Sequence, residues 1–238
     1  MRYHERIFRG MRAVVYFSNT GESKKIAAVL AQKTGFALRS LEECKETEFK
    51  RLILVFPVYC QNIPAPVKAF LRSTKSEGLT AVATYGRMCY GNVLKELQCE
   101  SIANHHMIAA AYVPTKHTYV AEESFSNWER LEPLIAKQNT LTKVEIPRSY
   151  KNPLANFGMG LRSRMGVRLK KNTRCIGCGL CERECVYQAM KNGKPNKKCI
   201  RCLRCVARCP VQALEFSCRA PLKLYLKKKK INALILYV

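Results

Sequence analysis

The sequence predicts an α/β chain: a doubly wound parallel sheet, followed by a small, cysteine-rich α+β domain. Three observations predict it. Short apolar, β-branched runs alternate with helix-period segments from residue 11 to about residue 140. Eight of the 13 cysteines then crowd into residues 175–209, in two copies of one pattern. The charge divides near the same place. Residues 1–150 hold 21 Lys and Arg against 14 Glu, a net of +7, whereas residues 151–238 hold 21 against 3, a net of +18. The expected organisation is an extension (1–10), a sheet domain (11–140), a linker (141–170), a cysteine domain (171–218) and a basic tail (219–238).

Each element has its own reason. Arg12–Phe17 is a buried strand, rich in β-branched and aromatic residues. Glu22–Lys33 is a helix that carries Ile26, Val29 and Leu30 on one face. Ala37–Ser40 is a short strand, and Arg51–Phe56 a strong one. Ala65–Ser73 is a helix, with Pro64 and Pro66 at its start. Leu79–Thr84 is a strand, Asn92–Gln98 a helix, Met107–Val113 a strand and Ser124–Asn139 a last helix. Near-continuous apolar strands are those of a sheet covered on both faces. Residues 140–172 break the rhythm with Pro147, Pro153, Gly158, Gly160 and Gly166, and leave room for one short helix over Ala155–Arg164.

Composition narrows the chemistry. All 17 acidic residues are Glu, which discounts sites built on Asp, such as EF-hand loops and Walker-B magnesium sites. The formal charge is +25, which attracts nucleic acid, anionic lipid or an acidic protein without choosing among them. Residues 1–10 are polar and basic with no apolar h-region, so a cytoplasmic, reducing compartment is expected, where clustered cysteines hold metal. No apolar run approaches the ~20 residues of a membrane span. Lys227–Lys230 and the apolar Ile231–Val238 suit a solvated basic arm, with an edge strand or a membrane-surface contact as the other readings.

The segment Arg174-Cys-Ile-Gly-Cys-Gly-Leu-Cys-Glu-Arg-Glu-Cys185 recurs 24 residues later as Lys198-Cys-Ile-Arg-Cys-Leu-Arg-Cys-Val-Ala-Arg-Cys209. Each copy is C-x2-C-x2-C-x3-C. The first three thiolates of a copy wrap three corners of a cubane cluster, and the fourth ligand must come from elsewhere. Zinc ribbons, the competing reading, use two cysteines per half. Gly177 and Gly179 suit close backbone approach to a cluster, and their counterparts are Arg201 and Leu203. Cys44, Cys60, Cys89, Cys99 and Cys218 fall outside the pattern and fit packing roles, with contact to a cofactor edge as the other reading for Cys60 and Cys89, which sit in candidate ligand loops.

Three loops at strand carboxyl ends belong to a second candidate site. Ser18-Asn-Thr-Gly-Glu-Ser23 joins a strand to a helix, and offers hydroxyls, backbone amides and a helix N-terminus to a phosphate. The same residues would also make an ordinary N-capping turn. Phe56–Pro64 and Thr84–Asn92 follow later strands, where open parallel sheets bind ligands.

The cysteine repeat resembles bacterial-type two-[4Fe-4S] ferredoxins over about Lys171–Phe216. That resemblance implies crossed ligation: Cys175, Cys178, Cys181 and Cys209 for one cluster, and Cys199, Cys202, Cys205 and Cys185 for the other. The family's proline after the fourth cysteine is kept in Cys209-Pro210 and replaced in Cys185-Val186. The first loop resembles the phosphate loop of flavodoxins. This implies FMN bound by Ser18, Asn19, Thr20, Gly21, Glu22 and Ser23. Pro57, Val58, Tyr59, Thr84, Tyr85, Gly86, Tyr90, Gly91 and Asn92 would lie around the ring, with tyrosines stacked on it or flanking it. Glu22 is mildly adverse beside a phosphate unless it faces solvent. Tyr16–Gly21, Phe56–Tyr59 and Ala83–Gly86 together resemble the flavodoxin–ferredoxin fusion family of anaerobic bacteria and archaea. That resemblance spans about Met11–Phe216, which makes Met11 an alternative start.

The resemblance implies a low-potential electron carrier rather than a substrate-specific oxidoreductase, with FMN and two [4Fe-4S] clusters exchanging electrons. Its basic half would dock an acidic redox protein. Two alternatives differ in class: a flavin-dependent reductase fed by its own clusters, and a redox-sensing or nucleic-acid-binding protein. The latter is disfavoured, because no nucleic-acid-binding motif is present. The sequence leaves the oligomeric state open.

Overall fold

The computed structural model describes residues 10–157 and 159–238; most of the expected 1–10 extension lies outside them. The first domain runs β1 (Met11–Tyr16), α1 (Glu22–Thr34), β2 (Ala37–Ser40), β3 (Glu48–Pro57), α2 (Ala65–Ser73), β4 (Lys75–Tyr85), α3 (Val93–Ser101), β5 (His105–Pro114) and α4 (Glu132–Ala136). The strands order as β2-β1-β3-β4-β5, all parallel. This is the flavodoxin-like order, whose switch point lies between β1 and β3. Period-2 side-chain alternation divides the core. Val15, Leu54 and Ala83 face α2 and α3, while Val14, Ile53 and Val82 face α1 and α4. The expected Ser124–Asn139 helix is shorter: α4 is flanked by 3-10 turns Trp128–Leu131 and Lys137–Asn139.

The expected linker is not free. Buried Gln98 donates to the Val144 carbonyl at 2.7 Å and accepts from the Ile146 amide at 3.2 Å, so one side chain hydrogen-bonds this strip like a neighbouring strand. Val144 and Ile146 complete the core. Beyond a 3-10 turn (Pro153–Asn156), α5 (Met159–Gly166) leads directly into β6 (Val167–Lys171), so the second domain starts a few residues before 171.

That domain contains α6 (Leu180–Arg183), β7 (Met190–Lys191), β8 (Lys194–Pro195), α7 (Arg204–Ala207) and β9 (Leu214–Cys218). β6 pairs antiparallel with β9. β7 and β8 form a hairpin through Asn192-Gly193, whose φ values of 50° and 73° suit the right-handed strand twist.

The tail departs from the solvated-arm expectation. α8 (Ala220–Leu226) packs on α5, and β10 (Ile235–Tyr237) joins the first domain's sheet antiparallel to β5. Ile235 and Tyr237 pack on one core cluster, and Leu234 and Leu236 on the other. Covering the open β5 edge and packing apolar side chains on both faces is favoured over leaving this largely apolar segment in water.

Candidate functional site: two adjoining cavities

The loop after β1 closes on itself. Ser18 Oγ accepts from the Gly21 amide at 3.1 Å, and α1 begins at the next residue. The amides of that first turn have no acceptor within the helix. Ser23 Oγ lies 2.8 Å from Thr84 Oγ1, which ties the loop to the end of β4. Glu22 is buried rather than turned to solvent, and its carboxylate faces Lys25 at 3.2 Å and Lys116 at 3.5 Å. These ammonium groups offset the charge that made Glu22 adverse.

After β3, Tyr59 and Asn62 exchange both backbone hydrogen bonds across Cys60-Gln61, whose φ values are 48° and 64°. Two non-glycine residues in the left-handed region make a strained turn of the kind that clusters at ligand sites. Asn19 Nδ2 donates to the Tyr59 hydroxyl. Burial, then the nearby Cys202 and Tyr187, raises the Tyr59 phenol well above its ordinary value. A Cβ on Gly86 would stand 2.7 Å from the His117 ring, so only glycine lets the loop after β4 reach the loop after β5.

These loops wall a cavity of about 500 Å3. Ser18, Asn19, Thr20, Glu22, Ser23, Pro57, Val58, Tyr59, Thr84 and Gly86 all line it. Gly21 opens α1 beside it. Four other expected residues are elsewhere. Tyr85 is buried, with its hydroxyl donating to the Ala233 carbonyl at 2.7 Å. Tyr90 packs on Tyr85 and Tyr112, with centroids 5.2 and 4.3 Å away. A Cβ on Gly91 would stand 2.6 Å from Gln61 Cβ, and Asn92 Oδ1 accepts from the Ser149 amide at 2.9 Å. Contacts within the protein hold these four away from the cavity wall.

Sequence reasoning missed other parts of the wall: Lys116, His117 and Tyr119 after β5, Arg162 and Met165 on α5, and Leu222 and Tyr225 on α8. No local motif marks them: the first three follow a strand without a recognisable loop pattern, and the others reach the site only through the packing of α5 and α8.

The cysteine repeat is also a repeat of backbone. Gly177 and Gly179 have φ 69°, and their counterparts Arg201 and Leu203 have 60° and 61°. Gln188 and Gln212 match at 48° and 50°. The Ala189 amide donates to Cys185 Sγ and the Ala213 amide to Cys209 Sγ, each at 3.2 Å. Leu203 and Arg201 bear left-handed conformations that suit glycine. Burial of Leu203, and the Tyr119 hydroxyl donating to the Arg201 carbonyl at 2.6 Å, hold them there.

Cys185, Cys199, Cys202 and Cys205 line a second cavity. Burial, then the neighbouring Cys199 and Cys185 sulfurs, pushes the Cys202 thiol up to about 11, against a backbone hydrogen bond at Arg204 that lowers it. Burial and then Cys202, Cys199, Cys185 and Cys181 push Cys205 up to about 12. Thiols this crowded ionise together only around cationic centres, so the donor set fits a thiolate-bound cluster. Among the described residues no three His, Cys or Glu side chains converge as ligands of a single ion. Cys175 and Cys178 are exposed at the other end of the domain.

The domains meet at the second cysteine copy. Cys202 and Ile200 stand in the walls of both cavities. Buried Arg204 pairs with Glu42 of the first domain and lies 3.5 Å from Glu184 and from Asn19 Oδ1. Val186, which replaces the family's proline, packs on the first domain's core, while its counterpart Pro210 is exposed.

A family model described as a 4Fe-4S binding domain matches residues 196–215. The chain therefore carries an iron–sulfur domain of ferredoxin type beside a flavodoxin-like sheet. Solved structures similar to it include a Bacteroides uniformis protein classed as a flavoprotein, at 16% identity. That match covers 54% of this chain and 99% of the other, with a TM-score of 0.40. A flavodoxin from the domain Archaea is 13% identical, covering 54% and 93%, with a TM-score of 0.39. A short-chain flavodoxin associated with a non-canonical PDU bacterial microcompartment is 13% identical, covering 54% and 96%, with a TM-score of 0.37. No curated protein matches the sequence. Among the described residues no helix is long and apolar enough to cross a membrane.

Proposed function

We propose that this chain is an electron carrier of the flavodoxin–ferredoxin fusion type, holding FMN in the larger cavity and two [4Fe-4S] clusters in the cysteine domain. One observation carries the reading: Cys202 belongs to both cavity walls, so a cluster ligand borders the flavin site. A volume of about 500 Å3 is in the range of cofactor sites. When bound, FMN supplies one- or two-electron chemistry and each cluster one-electron chemistry.

The residues have binding and shielding roles. Ser18, Asn19, Thr20, Gly21 and Ser23 would hold the phosphate at the start of α1, where the helix dipole favours an anion. Pro57, Val58 and Tyr59 would flank the ring, in a cavity that Tyr225 also lines. Cys199, Cys202, Cys205 and Cys185 would bind the cluster beside the flavin, and Cys175, Cys178, Cys181 and Cys209 the one farther away. Leu222, Tyr225 and Met165 add apolar wall to the larger cavity. The distal cluster would then exchange electrons with an acidic protein partner, since Arg174 and Arg183 flank it.

Anaerobic purification without reconstitution tests this. The expected result is one FMN with about eight iron and eight sulfide per chain, as two four-iron sites require. Clusters without flavin, even after FMN is added, would refute the flavin half, and zinc in place of iron would refute the redox reading.

A further inference from the structure

Large apolar side chains left in solvent concentrate on one part of the surface. Leu154, Phe157, Leu161, Met165 and Leu224 are between 54% and 78% exposed. They lie on the 3-10 turn before α5, on α5 and on α8. Those segments adjoin: Arg162 donates to the Ala155 carbonyl at 3.1 Å, and Leu222 of α8 lies against Gly166. Leu161 and Met165 stand one turn apart on α5. Leu222 and Tyr225 turn toward the cavity, which leaves Lys223, Leu224 and Lys227 outward. None of the five exposed residues belongs to an apolar cluster of the described residues.

The same stretches contain no acid. Residues 146–181 and 216–238 hold 14 Lys and Arg and not one Glu. Protruding apolar side chains ringed by cations are not explained by folding, because exposed apolar patches cost solubility.

We propose that the face formed by α5, α8 and the preceding turn docks on an anionic lipid bilayer. Phe157, Leu161 and Leu224 enter the headgroup–acyl boundary, and Lys223 and Lys227–Lys229 reach up to the phosphates. Nucleic acid would satisfy the lysines but gives the leucines nothing. An acidic protein would need an apolar receptor shaped to a convex helix pair. A bilayer accepts both features, and the short helices suit a surface contact.

The test is flotation of the full chain with phosphatidylcholine vesicles, with and without phosphatidylglycerol. Binding only to the phosphatidylglycerol vesicles, weakened by salt, is expected. Leu161→Ser and Leu224→Ser should each weaken it roughly tenfold, as losing about half of a leucine's burial would. Heparin retention should not change. Neutralising Lys227–Lys229 to Gln should cost roughly fivefold per residue. Phe157→Trp keeps the test independent of helix stability, since its emission should shift to the blue on those vesicles. Absence of flotation, binding indifferent to the leucines, or an unshifted emission would overturn the proposal. So would retention on immobilised polyglutamate without flotation, which would assign the face to an acidic protein. None of these readouts depends on the flavin.

Discussion

Cys202 stands in the walls of both cavities. If the ligation is crossed, Cys202→Ala and Cys185→Ala should each lower iron by about four per chain and bleach the same cluster's spectrum, while Cys175→Ala and Cys209→Ala bleach the other. Bleaching of different clusters by Cys202→Ala and Cys185→Ala would refute crossed ligation. Arg204→Ala should destabilise the protein by about 2 kcal/mol, read as a lower urea midpoint, because it leaves Glu42 and Glu184 without their buried partner. His117 argues a pH effect. Burial, then Lys230, lowers its pKa from 6.5 to about 4. The unfolded chain therefore binds the extra proton first, and stability falls as the pH drops from about 6.5 toward 4. His117→Asn should flatten that limb of the urea midpoint against pH. Tyr85, Tyr90, Gly91 and Asn92 share one feature. Each lies at or just after the end of β4, as a ligand residue would, but has a partner from another element that no local pattern marks: Ala233 for Tyr85, Tyr112 for Tyr90, Gln61 for Gly91 and Ser149 for Asn92.

At the scale of elements, the tail is the main surprise. Tyr85 Oη donates to the Ala233 carbonyl and accepts from its amide at 3.1 Å, and the Ile231 amide donates to the Arg87 carbonyl at 2.7 Å. Glu122 pairs with Lys230 and lies 3.6 Å from Arg87. Tyr85→Phe should release this clamp, costing about 1–2 kcal/mol locally. Amide exchange over residues 231–238 should quicken, with the cores of β3 and β4 unaffected. Sequence periodicity located the five parallel strands to within a few residues, since buried strands require apolar runs. It left an edge strand at Ile231–Val238 as one reading among three, because a short apolar segment carries no mark of which sheet edge it will cover.

At the scale of the molecule, two domains share one wall. If flavin and clusters occupy the adjoining sites, internal electron exchange is set by fixed geometry. Its rate, followed by flash photolysis, should be independent of both protein concentration and salt. Reduction of an acidic partner should slow as salt rises. An internal rate that scaled with concentration would show that the sites work between molecules. The mutual placement of the domains rests on Arg204, Arg201 and Val186, three positions where the second cysteine copy or its fourth-cysteine neighbour departs from its counterpart. That difference between copies was visible in the sequence, but nothing local said that it faced another domain.

The sequence by itself determined the doubly wound sheet, the two cysteine loops and the phosphate-type turn, because each depends on residues within about a dozen positions of one another. Only the tertiary structure decided that the linker and tail are built into the first domain, and that α8 walls the larger cavity. It also decided that Cys202 borders both cavities. Those outcomes depend on contacts between residues tens to more than a hundred positions apart. Such contacts are selected by complementary shape and by satisfied backbone groups, which no local pattern encodes.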